Sequence, residues 1–274
     1  MSAETDFAYL KSCLFRPEDS AKLDEIAETR RCIRFEGRVF TDTRFIDIQF
    51  GELLFMLRRD LAPASLDTYI EIFRDQAHMK IPEFQPEHCS SVIDAGANEG
   101  FYSLHMKSRN PDIPIISVEP SPEIFDILTR NIRVNKFSGI HAVNFALSDR
   151  SGPGALETYP HVSSVSSENI LQLNRSWIKP ERIRTTAVHM ATLPALLKDL
   201  NWEDADLLKI DTEGSEMKIL KGSEPVLERI RKIVVEWHTP ELREKCTRFL
   251  LDRNFQLVHE ERRRTGDSYF INID

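Results

Sequence analysis

The chain has 274 residues, 41% of them hydrophobic and 29% charged, with a formal net charge of −8. That length suffices for one large domain, or a domain with an appendage, around a sizeable core. The composition is that of a globular protein, which excludes a disordered or membrane-embedded chain; the acidic balance argues against general affinity for nucleic acid or an anionic membrane.

In chain order, Met-Ser-Ala-Glu-Thr-Asp lacks the basic-then-apolar order of a signal peptide. Asp19 or Ser20 caps a predicted helix to about Arg31, with Leu23, Ile26 and Ala27 on its inner face. The branched and aromatic run Arg38–Ile46 predicts a short hairpin, Leu53–Arg59 a second helix, and Ser65 to about His78 a third. Pro82 and Pro86 mark a linker. Residues 1–88 thus read as a helix-rich N-terminal cap whose apolar faces need a partner surface. Cys13, Cys32, Cys89 and Cys246 are scattered, with no C-x-x-C pair, so neither a zinc site nor a disulfide framework is expected. The expected compartment is a reducing cytoplasm.

From Ser91 onward strands and helices alternate. Strands are predicted near 91–96, 114–119, 140–147, 205–211, 232–238, 255–261 and 268–273, and helices near 99–109, 121–135, 193–200, 215–229 and 241–252. The fold class is α/β, with residues 89–274 forming a seven-stranded, mostly parallel, Rossmann-like sheet flanked by helices. The last two strands, joined around Thr265-Gly266-Asp267, should pair antiparallel at one edge, and Arg262, Arg263 and Arg264 read as a solvated turn. The Ser-, Gly- and Pro-rich stretch 148–185 breaks the alternation at a strand's carboxyl end and reads as a lid-like insertion, partly hairpin, with Trp177 in it.

Residues 92–104, Val-Ile-Asp-Ala-Gly-Ala-Asn-Glu-Gly-Phe-Tyr-Ser-Leu, run from an apolar strand through a glycine loop into a helix. Such a loop puts backbone N–H groups and a helix N-terminus at the carboxyl edge of a parallel sheet. The next apolar run ends in Glu119, a carboxylate placed to accept two hydrogen bonds from a ribose diol. Together they point to a ligand carrying an adenosine. A dinucleotide fingerprint would need glycines where Asn98 and Phe101 stand, so a nicotinamide-dependent dehydrogenase is disfavoured. Asp94, Gly96, Asn98 and Gly100 instead resemble the first motif of class I methyltransferases. Ser148 and Asp149 end the third strand, where a short polar side chain can receive an adenine amino group; their turn-forming role competes with that reading.

The predicted fourth strand ends Lys209-Ile-Asp211-Thr-Glu213-Gly-Ser-Glu216, and the fifth Glu236-Trp-His238. With a period of two and level ends, Lys209 would face Glu236 as a structural brace, and Asp211 would face His238. An imidazole oriented by a carboxylate can take a proton from a hydroxyl, so His238 is the candidate base and Asp211 its orienting partner. Glu213 and Glu216 are also explained by the dipole of the following helix. Nothing in the pattern requires a metal, although Asp211, Glu213 and His238 together make a donor set.

Residues 92–104, Val-Glu-Pro-Ser-Pro at 118–122, Ala-Leu-Ser-Asp at 146–149, Leu-Lys-Ile-Asp-Thr-Glu-Gly-Ser-Glu at 208–216 and Val-Glu-Trp-His at 235–238 occur in an order that resembles the FkbM family of S-adenosylmethionine-dependent methyltransferases. The resemblance implies the class I methyltransferase fold and S-adenosylmethionine as cofactor. It places Asp94, Gly96, Asn98, Glu119 and Asp149 around that cofactor and Asp211, Glu213 and His238 along the reaction cleft. It also implies a hydroxylated small molecule, a sugar or polyketide-type product, as acceptor. One departure is Leu193-Pro194 where the family usually has Leu-Asp. The rival expectations are N-methylation of an amine or peptide, and a domain that binds the cofactor without turnover.

Overall fold

The computed structural model describes residues 3–36, 44–159, 162–167, 178–261 and 265–274. The predicted hairpin start at 38–43, Trp177 and Arg262–Arg264 lie outside them.

The N-terminal segment begins with α1 (Ala3–Ser12), which the sequence reading does not anticipate, and α2 (Asp19–Glu36). Leu53–Arg59 is not a helix. It forms strand β2 (Leu53–Arg58), paired antiparallel with β1 (Phe45–Phe50). The burial of both strands alternates strictly, the period-2 signal that a short apolar run conceals. Helix α3 (Ala62–Tyr69) runs into a π-helical turn, Ile70–Arg74. The proline-marked linker is two 3-10 turns with Phe84 and Pro86 buried.

This segment is bound to the sheet domain by a shared core: Phe55, Tyr69 and Met79 pack in one cluster with Phe101, Leu104 and Tyr269. Phe55 and Phe101 stack with centroids 4.9 Å apart. The exposed edge of β2 is satisfied by side chains of α5 (Pro122–Val134) and the residue after it. Met56 N–H donates to Asn131 Oδ1 at 2.7 Å and Leu54 N–H to Asn135 Oδ1 at 2.9 Å. Side-chain amides thereby replace a neighbouring strand, the remedy an open sheet edge requires.

The sheet domain contains β3 (Val92–Ala95), α4 (Phe101–Arg109), β4 (Ile115–Val118) and β5 (Ile140–Val143). After the excursion at 146–191 come α6 (Leu193–Asp199), β10 (Ala205–Ile210), α7 (Glu216–Ser223), β11 (Ile230–Trp237), α8 (Pro240–Leu251), β12 (Phe255–Glu260) and β13 (Gly266–Asn272). Seven strands order as β12-β13-β11-β10-β3-β4-β5. The central pairs are parallel, and β13 runs antiparallel to both β11 and β12. The central strands β3, β4 and β10 are buried throughout, as a parallel sheet covered by helices demands.

The predicted strand at 140–147 divides: β5 stays in the main sheet, while β6 (Ala146–Leu147) joins β7 (Gly152–Tyr159), β8 (Val162–Ser167) and β9 (Arg184–Ala191) in a second sheet. The described residues of the insertion are thus largely in strands. Pro194 falls in the first turn of α6, where its missing N–H costs nothing. No described helix is long and apolar enough to cross a membrane.

Candidate active site

The glycine loop owes its shape to close backbone approach. Gly96 has φ +82°, and a Cβ there would lie 1.8 Å from the Asp211 carbonyl oxygen on the adjoining strand end. Gly100, with φ +92°, precedes α4 and packs against Leu128. Asn98 also takes a left-handed φ of 49°, which Asn tolerates better than most residues. The loop is tied to β4 through Glu119: Asn98 N–H donates to Oε2 at 3.0 Å, and Ser121 N–H to Oε1 at 2.8 Å. Burial drives the Glu119 carboxyl up to about 7, against the pull of those two N–H groups.

Asp94 is fully buried beneath the loop. Its Oδ1 lies 3.0 Å from Lys209 Nζ, and its Oδ2 accepts from Ser103 Oγ at 2.6 Å. Lys209 also donates to Gly96 O at 2.9 Å and lies 3.4 Å from Asp211 Oδ2. The expected Lys209–Glu236 brace is therefore not formed. Lys209 is level with Val234 on β11 and with Asp94 on β3. A two-residue slip in register preserves which face each side chain occupies, so alternation cannot detect it.

The expected partner of His238 changes for the same reason. Asp211 Oδ1 is 3.8 Å from His238 Nε2, whereas Glu216 Oε1 lies 2.9 Å from Nδ1 and Glu213 Oε2 lies 3.2 Å from Nε2. Glu216 is completely buried, so it orients the imidazole as well as facing a helix N-terminus. Burial opposes a charge on His238, but Glu213 and Glu216 prevail and hold its pKa well above the ordinary value. Burial likewise acts against ionised Asp211, and Lys209 and His78 keep it well below the carboxylate range. Burial and then the Asp211 charge push Glu236 well above it.

Two cavities meet here. The larger, about 530 Å³, is lined by residues of the N-terminal segment and of the sheet edge, among them Glu71, His78, Tyr102, Glu236, His238 and Asp267. The smaller, about 70 Å³, lies between Glu119, Leu147, Leu156 and Thr212. Both are lined by Gly96, Asn98, Asp211 and Glu213, so they form one crevice over the carboxyl ends of β3, β4 and β10. Of the residues singled out in the sequence, Gly96, Asn98, Glu119, Asp211, Glu213 and His238 converge on it. Asp94 and Gly100 support the loop from behind. Ser148 is buried against Gly222, and Asp149 is exposed; neither lines the crevice.

His78 figures in the sequence reading only as the end of a predicted helix and not among the site residues. It lies past the π-helical turn, and no local pattern marks it, because its neighbours arrive from residues 211 and 267. Burial disfavours its charge, but Asp267 and Asp211 outweigh burial and raise it well above the usual value.

The residues present suit S-adenosylmethionine. Among the described residues, Asn98 Oδ1 and Thr212 Oγ1 are buried without a hydrogen-bond partner, and both residues border the crevice, beside a carboxylate at the end of β4. The carboxylate-rich lining suits a ligand with sulfonium and ammonium charges.

Comparison with known proteins agrees. The family model described as the methyltransferase FkbM domain matches residues 94–263. Methyltransferase sdnD of Sordaria araneosa is 29% identical over 243 residues, covering 77% of this chain and 94% of that protein. The 31-O-demethyl-FK506 methyltransferase FkbM of Streptomyces tacrolimicus is 28% identical over 193 residues, covering 62% and 73%. Among solved structures, the METTL16 methyltransferase domain superposes with a TM-score of 0.49 at 12% identity, covering 96% of this chain and 98% of that one. The chain belongs to the FkbM family of methyltransferases, and S-adenosylmethionine is its methyl donor.

Proposed function

We propose that the protein methylates a hydroxyl oxygen of a small molecule, with His238 as the base. The observation that carries this reading is the His238 imidazole: Nδ1 is engaged by Glu216 at 2.9 Å, and the ring borders the 530 Å³ cavity. When bound, S-adenosylmethionine would supply a methyl group on a cationic sulfur, for transfer to the acceptor oxygen with the carbon–sulfur electron pair remaining on sulfur. Glu119 would hold its ribose diol, and the loop from Gly96 to Gly100 shapes the crevice that would take the remainder. Glu216 fixes the ring, and Glu213 beside Nε2 raises its basicity. The proton held on Nε2 must leave before the ring accepts one from the acceptor hydroxyl. Alignment of acceptor and methyl group supplies most of the rate, with proton removal in support.

The net charge of −8 favours a small acceptor over a polyanion. The carboxylates around the larger cavity also favour a second acceptor class, a cationic amine. Turnover with labelled S-adenosylmethionine against hydroxylated and amine-bearing natural products, with mass analysis of the methylated atom, separates the two. Methylation confined to nitrogen would remove the hydroxyl reading, and tight binding of S-adenosylhomocysteine with no turnover on any acceptor would favour a binding module.

A further inference from the structure

Opposite the glycine loop, the larger cavity is closed by His78, whose backbone has a left-handed φ of 65°. Asp267 holds this residue twice: His78 N–H donates to Oδ2 at 2.7 Å, and Nδ1 lies 2.9 Å from Oδ1. The Tyr269 hydroxyl donates to Asp267 Oδ2 at 2.9 Å and fixes the carboxylate in turn. An ionised carboxylate only accepts, so Nδ1 carries a proton, and a cation that displaces the second proton of the ring would take the lone pair of Nε2.

His78 is 4% exposed, and its Nε2 has no hydrogen bond within 3.5 Å among the described residues; Asp211 Oδ2 stands 3.6 Å away. Glu236 also lacks a hydrogen bond to its carboxylate among the described residues, its nearest cationic neighbour being His238 Nε2 at 4.0 Å. One donor atom from each of His78, Asp211 and Glu236 lies within 4.8 Å of the other two. Two partly buried carboxylates converge here on a buried imidazole nitrogen, and a proton or a cation between them relieves their repulsion. Ligand atoms around a six-coordinate ion at about 2.1 Å are roughly 3 to 4 Å apart, so a modest contraction of side chains closes the set. Lys209 meets Asp211 from the loop side, as Asp267 meets His78 from behind. His78 and Asp211 are thus each met by a second group, as metal ligands usually are.

We propose that His78 Nε2 and one carboxylate oxygen each of Asp211 and Glu236 bind a divalent cation of the manganese class, with its open positions facing the larger cavity. An imidazole with two carboxylates is a donor set for such an ion. It differs from the Asp211, Glu213 and His238 set visible in the sequence, because Glu213 and Glu216 already engage His238. The open positions suit two oxygens of a diol or hydroxy acid, and a bound hydroxyl would lose its proton more readily. That consequence rests on the acceptor reading above; cation binding itself does not.

The test is titration of the full chain with manganese(II) at neutral pH, followed by loss of the free-ion paramagnetic resonance signal and by pulsed measurement of nitrogen coupling. Binding of S-adenosylhomocysteine by each protein serves as the folding control and reports independently on the methyltransferase site. The expected result is one bound ion coupled to one imidazole nitrogen, at least ~10-fold weaker binding in Glu236→Gln, and loss of the nitrogen coupling in His78→Gln. An unchanged manganese signal at millimolar ion, in wild-type protein that binds S-adenosylhomocysteine, would overturn the proposal and leave a proton on His78 as the occupant. Binding without nitrogen coupling, or unaltered in folded variants, would also overturn it. The wild-type measurement decides even if a variant fails to fold.

Discussion

The backbone N–H of Asn98 donates to Glu119 Oε2 at 3.0 Å, so the loop after β3 and the end of β4 form one hydrogen-bonded unit. The Glu119 carboxylate is thereby supported by two backbone N–H groups, at the cost of being buried at the edge of the crevice.

That cost makes Glu119 a proton-linked site. Burial lifts its folded-state pKa to about 7 from the ordinary carboxylate value of 4.5, so between those limits the folded state holds a proton that the unfolded chain has lost. Stability from this group is therefore present at low pH and falls, by up to about 3 kcal/mol, as pH rises from 4.5 to 7. Glu119→Gln should flatten that fall in urea titrations of the ligand-free protein. Ribose hydroxyls donate to the ionised form, so S-adenosylhomocysteine should bind more weakly below pH 7 and release a proton on binding there. Calorimetry should show Glu119→Gln binding ~10- to 100-fold weaker at pH 8, without that pH dependence.

His238→Ala should lower kcat by roughly 10²- to 10⁴-fold while the KM for S-adenosylmethionine changes little, since the side chain serves proton removal rather than cofactor binding. Glu216→Gln keeps the ring in place with a weaker partner and should fall between the two in steady-state assays. Equal loss in kcat for a variant at an exposed site would show that the assay reports stability instead.

Gly96→Ala should destabilise by about 2–4 kcal/mol and abolish cofactor binding, because its Cβ meets the Asp211 carbonyl and its φ is left-handed. Gly51→Ala is the control: its φ is +54°, but nothing lies within 4 Å, so only about 1–2 kcal/mol of conformational strain is expected. Similar losses for both in chemical denaturation would mean that the close approach at Gly96 relaxes freely.

Lys209→Met should cost roughly 3–5 kcal/mol, because it leaves Asp94 fully buried without its cation and takes from Asp211 one of the cationic groups beside it. Adding Asp94→Asn should recover part of that loss. A double variant no more stable than the single one would show that Asp94 draws its support from Ser103 alone.

The alternation of strands and helices after Ser91, the glycine loop and the carboxylate ending β4 were legible in the sequence because each is local. A buried parallel strand reads as an apolar run, and a tight turn after it needs glycine whatever surrounds it. The same locality misread Leu53–Arg58, where an apolar run short enough for either period folded as a strand once α5 offered asparagines to its edge.

Tertiary structure alone decided which charges meet. Strand alternation placed Lys209 on its strand and His238 at the end of β11 but could not register β10 against β11, since a slip of two residues leaves every side chain on its own face. That slip took Glu236 away from Lys209, which meets Asp94 on β3, and left His238 to Glu216 and Glu213. It also left Glu236 beside Asp211 and within reach of His78, a residue from a different part of the chain with no mark in its own neighbourhood. Periodicity carries the direction of a side chain, whereas its electrostatic partners depend on packing between segments far apart in sequence.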